Sequence, residues 1–168
     1  IGKPIPGGVL ATLPMSLSLL AGYLQPFSDG AGRIVWYGAM LLHVIIIVFF
    51  TRKYILKFHF TDVYTSYFIV YVGLAVNGII APQFNRQDIG YLCLAFGLLA
   101  FILLFFVILY RYVKIGEISE DARPLVCIFA APASLCLTSY LKSSQQINVS
   151  FVYLMVFLSL IIYLVVLY

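Results

Sequence analysis

The sequence predicts an all-α integral membrane protein whose six transmembrane helices are joined as three helical hairpins. Three observations lead there. Six stretches, residues 4–28, 34–51, 63–85, 89–110, 124–141 and 143–168, contain no Asp, Glu, Lys or Arg. Each is close to or above the roughly 20 apolar residues that a helix needs to cross a hydrocarbon core about 30 Å thick. The composition agrees, with 64% hydrophobic and 10% charged residues, against roughly 25% charged in soluble domains. Finally, small and helix-perturbing residues recur at one fixed step. A soluble domain of this size has too much surface for its volume to hide six such runs.

Lipid gives the backbone no hydrogen-bond partners, so each crossing must be a helix or a barrel strand. Runs of about 20 residues without period-2 alternation are helices. The connectors Gln25–Gly30, Pro82–Asp88 and Lys142–Gln146 are short and turn-like, which forces antiparallel neighbours. The hairpins therefore cover approximately 4–54, 63–112 and 123–168, within one transmembrane domain over residues 1–168.

The runs alternate in character. The first, third and fifth carry Pro14, Gly22, Gly73, Asn77, Gly78, Pro132 and Ser134, whereas the others are bulky, as in His43–Phe50, Phe101–Leu109 and Phe151–Leu167. Pro14, Gly73 and Pro132 are each 59 apart (73 − 14 and 132 − 73), and Ser16, Ala75 and Ser134 keep that step. So do Gly38 with Gly97 (97 − 38) and Arg52 with Arg111 (111 − 52). A fixed period marks a repeat architecture. Bulky helices suit lipid, and small-residue helices pack closely at a centre. An interior Pro frees a carbonyl, which a membrane tolerates only beside other protein or a water-filled cavity. Kinked helices placed once per hairpin are thus candidates to line a pore.

Orientation follows the Lys/Arg count. Lys3, Arg52, Lys53, Lys57, Arg111, Lys114 and Arg123 fall on one side, and Arg33, Arg86 and Lys142 on the other. Positive residues stay inside, so loops 52–62 and 111–123 are expected to be cytoplasmic in a multi-pass protein of the cell membrane. The formal charge of +4 comes from these scattered flanks rather than from one basic face, so nucleic acid is not an expected partner.

The fifth run, Arg123 to Leu141, carries an Arg at its entry, Ala131-Pro132 at mid-helix and Ser139-Tyr140 near its end. Tyr67 through Asp88-Ile89-Gly90-Tyr91 to Phe96-Gly97 precedes it, and Leu13-Pro14 to Trp36-Tyr37-Gly38 lies further upstream. This pattern resembles the tellurite-resistance/dicarboxylate transporter family, which includes the bacterial tellurite-resistance channel and the plant slow anion channels. The resemblance implies a ten-span, five-hairpin fold with the odd helices around a pore and the even ones outside, of which this chain supplies spans three to eight. The chain begins with Ile and ends inside an apolar run, which reads as a fragment. The resemblance also implies a homotrimer in full-length form and a pore-plugging Phe on a span that this chain does not carry. Val70 stands where the bacterial channel has Pro, one turn before Gly73.

The chemistry expected of the chain follows partly from what it lacks. No run holds a carboxylate, Lys or Arg, and His43 is the one histidine inside a run. Proton relays and coupling-ion sites use such groups, so an ion-coupled dicarboxylate carrier is the alternative rather than the leading expectation. A non-transporting membrane scaffold is a second alternative. No nucleophile with a base and no cluster of metal ligands is visible, and Cys93, Cys127 and Cys136 show no CxxC spacing. No enzyme activity, cofactor or metal is expected. Basic mouths concentrate anions, and a neutral interior favours anions that shed water cheaply and leave easily. The expected function is a channel or transporter for small inorganic or organic anions, embedded in the lipid bilayer. Its candidate pore-lining and kink residues are Pro14, Ser16, Gly73, Asn77, Pro132, Ser134 and Thr138, with Ser18 as a further donor, and Arg33 and Arg123 are candidates for its mouths.

Overall fold

The structure, a computed structural model, describes residues 4–56, 63–115 and 120–167. Six helical spans are long and apolar enough to cross a membrane: Ile5–Leu24, Asp29–Ile55, Ser66–Phe84, Gln87–Lys114, Leu125–Ser143 and Val149–Leu167. Among the described residues there is no strand. The helices overrun the charge-free windows where terminal chemistry permits. Ser28 caps the second span by accepting from the Ala31 N–H at 3.4 Å, and Asp29 pairs with Arg33 one turn on at 2.6 Å. At the other end the Lys53 ammonium lies over the rings of Phe49 and Tyr54. The turn between the third and fourth spans is closed by Asn85 in the left-handed region at φ 55°. The Arg86 N–H reaches back to the Ala81 carbonyl at 3.0 Å, a Schellman-type helix stop.

The spans form two layers. The third packs against both the first and the fifth, so the three odd spans lie side by side and run in the same direction. The second packs on the first and third, the fourth on the third and fifth, and the sixth on the fifth. The even spans turn their bulk outward: Leu41, Ile45 and Phe49, then Leu92, Leu99, Leu103 and Phe106, then Leu154, Phe157 and Leu164 are all exposed. No water-driven collapse acts in lipid, so the layers are held by close packing and interhelical hydrogen bonds.

The 59-residue step has a direct spatial meaning. Ser18 on the first span donates to the side-chain Oδ1 of Asn77 on the third at 2.9 Å, and the two positions are 59 apart (77 − 18). Equivalent residues of consecutive hairpins thus meet at one depth. Gly8 sits against Ser66, Gly22 against Ile80 and Gln83, and Gly78 against Ser139, each near the same step. Side-by-side parallel helices built from one repeat must bring like positions together.

Candidate pore-lining helices

All three odd spans change winding where the repeat places its helix-perturbing residue. In the first, the helix Pro4–Val9 gives way at residues 10–11 to the helix Thr12–Leu24, whose first turn holds Pro14. In the third, Ser66–Tyr71 is α-helical, Val72–Ala75 tightens to 3-10 winding around Gly73, and Val76–Ile80 is α-helical again. In the fifth, the 3-10 segment Glu120–Ala130 becomes the α-helix Ala131–Ser143, with Pro132 in its first turn. The even spans run as long α-helices, Asp29–Phe50, Gln87–Ile115 and Val149–Leu167, and the second continues into a π-turn, Thr51–Ile55.

Broken helices leave carbonyls that lipid cannot satisfy, and polar side chains take them up. Thr12 donates to the Val9 carbonyl at 2.8 Å beside the Pro14 break. His43, wholly buried, lies with Nε2 2.9 Å from the Val70 carbonyl, in the turn before the third span tightens. A proton on that nitrogen makes this a donor to the carbonyl. Asn77 donates through Nδ2 to the Leu74 carbonyl at 3.2 Å while accepting from Ser18. Ser143 donates to the Gly78 carbonyl at 2.7 Å and Thr65 to the Leu125 carbonyl at 2.6 Å. His43 is thus a structural donor on the second span that holds the third.

The candidate residues divide into two environments. Pro14, Gly73, Asn77 and Pro132 are buried between helices. A Cβ at Gly73 would stand 2.7 Å from Met15 Sδ and 3.2 Å from His43 Cε1, so a larger residue there would have to displace the Met15 side chain and press on His43. Ser16, Ser134 and Thr138 are exposed, their hydroxyls turned onto their own helices at Thr12, Ala131 and Ser134 carbonyls, 3.0, 2.9 and 2.8 Å away. On the α-helical part of the fifth span Ala131, Ser134 and Thr138 are all exposed and follow at intervals of three and four, which places them on one face.

Arg33 bonds Asp29, donates through Nη1 to the Phe84 carbonyl at 3.0 Å and lies over the Phe84 ring. It therefore ties the start of the second span to the end of the third. The Arg123 side chain, Lys3, and the parts of the two basic loops at 57–62 and 116–119 lie outside the described residues.

The profile of the voltage-dependent anion channel family, SLAC1, matches residues 1–168. The chain belongs to this family. The resemblance read from Arg123 to Leu141 and from Asp88 to Gly97 is thereby met, and so is the expected all-helical fold. No curated protein matches the chain significantly. As a voltage-dependent anion channel relative, it is a multi-pass membrane protein of a family that passes anions and is not one of enzymes.

One part of the packing escaped the sequence reading. The fourth span, bulky by composition, approaches the third through Gly90 and Gly97, seven residues apart. A Cβ at Gly90 would stand 2.8 Å from Ala81 Cβ and 2.9 Å from Ser143 Oγ, and one at Gly97 would stand 2.9 Å from Ala75 Cβ. The Asp-Ile-Gly-Tyr and Phe-Gly signatures are thus points of contact on the inner layer. Their seven-residue spacing was the available signal, since it repeats on one helical face.

Proposed function

We propose that the chain forms part of the wall of an anion-conducting pore across the cell membrane, with the odd spans inside and the even spans toward lipid. The reading is carried by the coincidence of three winding changes at Pro14, Gly73 and Pro132, one per hairpin and one repeat apart, in a chain of an anion channel family. In it, Pro14, Gly73 and Pro132 bend the inner helices at a common depth, and Asn77 fixes the spacing of the first and third. Ser16, Ser134 and Thr138 offer hydroxyls that rotate from their own carbonyls toward a passing anion. Neutral donors bind weakly enough for the ion to leave.

The mouths of this pore carry Arg33 and Arg123, and loops 52–62 and 111–123 face the cytoplasm. Complete copies of the protein carry five hairpins and assemble as a homotrimer, which supplies the helices that the exposed faces of the first and fifth spans require. Anion-substitution electrophysiology on the full-length protein tests the function. The expected result is a reversal potential that follows the anion gradient and ignores pH. A reversal potential that moves with pH would instead support the coupled dicarboxylate carrier. No anion flux at any voltage would support a scaffold.

A further inference from the structure

We infer that one phospholipid with an ethanolamine headgroup binds between the fourth and sixth spans, at the membrane face where the fifth span ends. Two neighbouring cavities build the site. A polar cleft of about 650 Å³ lies between the connectors of the last two turns, walled by the amides of Asn85, Gln87, Gln145 and Gln146 and by the Asp88 carboxylate. Below it an apolar groove of about 310 Å³ runs along Leu94, Ala95, Leu98 and Phe151. Tyr91 and Tyr140 line both cavities, so the two adjoin across these rings. The fourth span starts at Gln87 and the fifth ends at Ser143, which sets the cleft at the depth of the headgroups and the groove at that of the acyl chains. Tyrosines favour this boundary, with ring in the apolar layer and hydroxyl in the wet one.

The divider is rigid. The Tyr140 hydroxyl accepts from the Asn148 N–H at 2.8 Å, and its ring meets Phe151 with centroids 4.7 Å apart. Charge selects the headgroup. Asp88 lines the cleft with its partner Arg86 beside it, paired at 2.9 Å, and among the described residues no Lys or Arg lines either cavity. A headgroup carrying both signs matches that ion pair. Its ammonium reaches the remaining lone pairs of the carboxylate, the amide oxygens and the faces of the tyrosines, and its phosphate accepts from the amide N–H groups. A singly anionic headgroup carries no ammonium to offer that carboxylate. The inference is independent of whether the protein conducts.

The test uses the protein purified in mild detergent from vesicles of equimolar palmitoyl-oleoyl phosphatidylethanolamine and phosphatidylglycerol, with retained lipid measured by mass spectrometry. Wild type should retain the ethanolamine lipid about tenfold over the glycerol lipid, the factor given by roughly 1.4 kcal/mol. Ala95→Trp fills the groove without removing a contact and should abolish that preference. Leu92→Trp, on an exposed part of the same span outside the groove, should keep it. Equal retention of both lipids by wild type, preference for the glycerol lipid, or full retention by Ala95→Trp would overturn the site. Should Ala95→Trp fail to fold, the lipids are added back separately to delipidated wild type. A larger thermal stabilisation by the ethanolamine lipid then supports the site, and equal stabilisation overturns it.

Discussion

The third and sixth spans contain 19 residues each, yet they solve opposite problems. In the third, 72% of an 18-residue stretch is buried inside the protein, whereas in the sixth the figure is 11%. The buried one is the less bulky: it holds Ser66 at its start and Gly73, Asn77 and Gly78 around its middle, against a sixth span that is mostly Leu, Val, Ile, Tyr and Phe, with Ser150 and Ser159 as its hydroxyls. A soluble protein would place them the other way round. In lipid, bulk apolar side chains are free to face outward, so the interior goes to residues that allow helices to touch and to satisfy each other's backbones. The third span is consequently broken into four short segments, while the sixth runs unbroken from Val149 to Leu167.

That contrast breaks most easily at Gly78, where a Cβ would overlap the Ser139 hydroxyl and press on the Gly90 carbonyl at 3.0 Å. Gly78→Val should cost about 3 kcal/mol or more, at the upper end of overpacking penalties. Thermal unfolding in detergent would show this as a large fall in Tm, while Leu164→Val, on the exposed face of the sixth span, should leave Tm nearly unchanged. Equal behaviour of the two variants would mean that the third span is not the packed one.

Conduction gives the next largest effect. In the full-length protein Pro132→Leu should lower conductance several-fold by restoring a continuous helix, and Val107→Leu on the fourth span should not. Surface expression and oligomer size are measured beside it, because a membrane proline also shapes packing. Normal folding with wild-type current would leave the winding changes with a packing role alone.

A smaller effect is expected from the Ser18–Asn77 hydrogen bond. Interhelical hydrogen bonds in membranes contribute on average about 0.6 kcal/mol, so a double-mutant cycle with Ser18→Ala and Asn77→Leu should return a coupling of that order. Additive losses would sever the link between the repeat and the contact. The smallest change is at Arg33→Gln. Its pair with Asp29 is exposed and screened by solvent, but the change also removes the Nη1 bond to the Phe84 carbonyl and the contact with the Phe84 ring, so a small fall in Tm is expected. A shift of anion over cation permeability would then show whether this end of the second span also serves as a mouth.

The six spans were legible in the sequence because the absence of charge over 20 residues has one physical reading. The odd-even alternation was legible because small residues and Pro carry packing information. What the 59-residue step could not supply is environment. Gly38 and Gly97 are equivalent in the repeat, yet Gly38 faces open space and Gly97 touches Ala75. Arg52 is exposed, whereas Arg111 is buried with its guanidinium 5.0 Å from the Tyr64 ring centroid and 5.1 Å from that of Tyr112. The second span has inner neighbours at the edge of the described assembly and the fourth has them at its centre, so identical positions meet different surroundings. The division of the candidate residues was hidden for the same reason. Nothing in Ser16 and Ser18 as letters says that one is exposed and the other holds Asn77, because the neighbour that decides it is 59 residues away.

The carbonyl ties of the third span also bear on how the protein is made. His43, emerging before it, and Ser143, emerging long after it, both supply bonds that this helix needs. During synthesis the third span therefore leaves the ribosome with one partner in place and another not yet translated. Alone it is a poor candidate for release into lipid, since Asn77 and the interrupted backbone favour a wetter surrounding. Stable integration should wait at the insertion machinery until the fourth and fifth helices arrive, which makes spans three to five a single unit of biogenesis. The sixth span, with no such debts to its neighbours, can partition into the bilayer as soon as it is exposed.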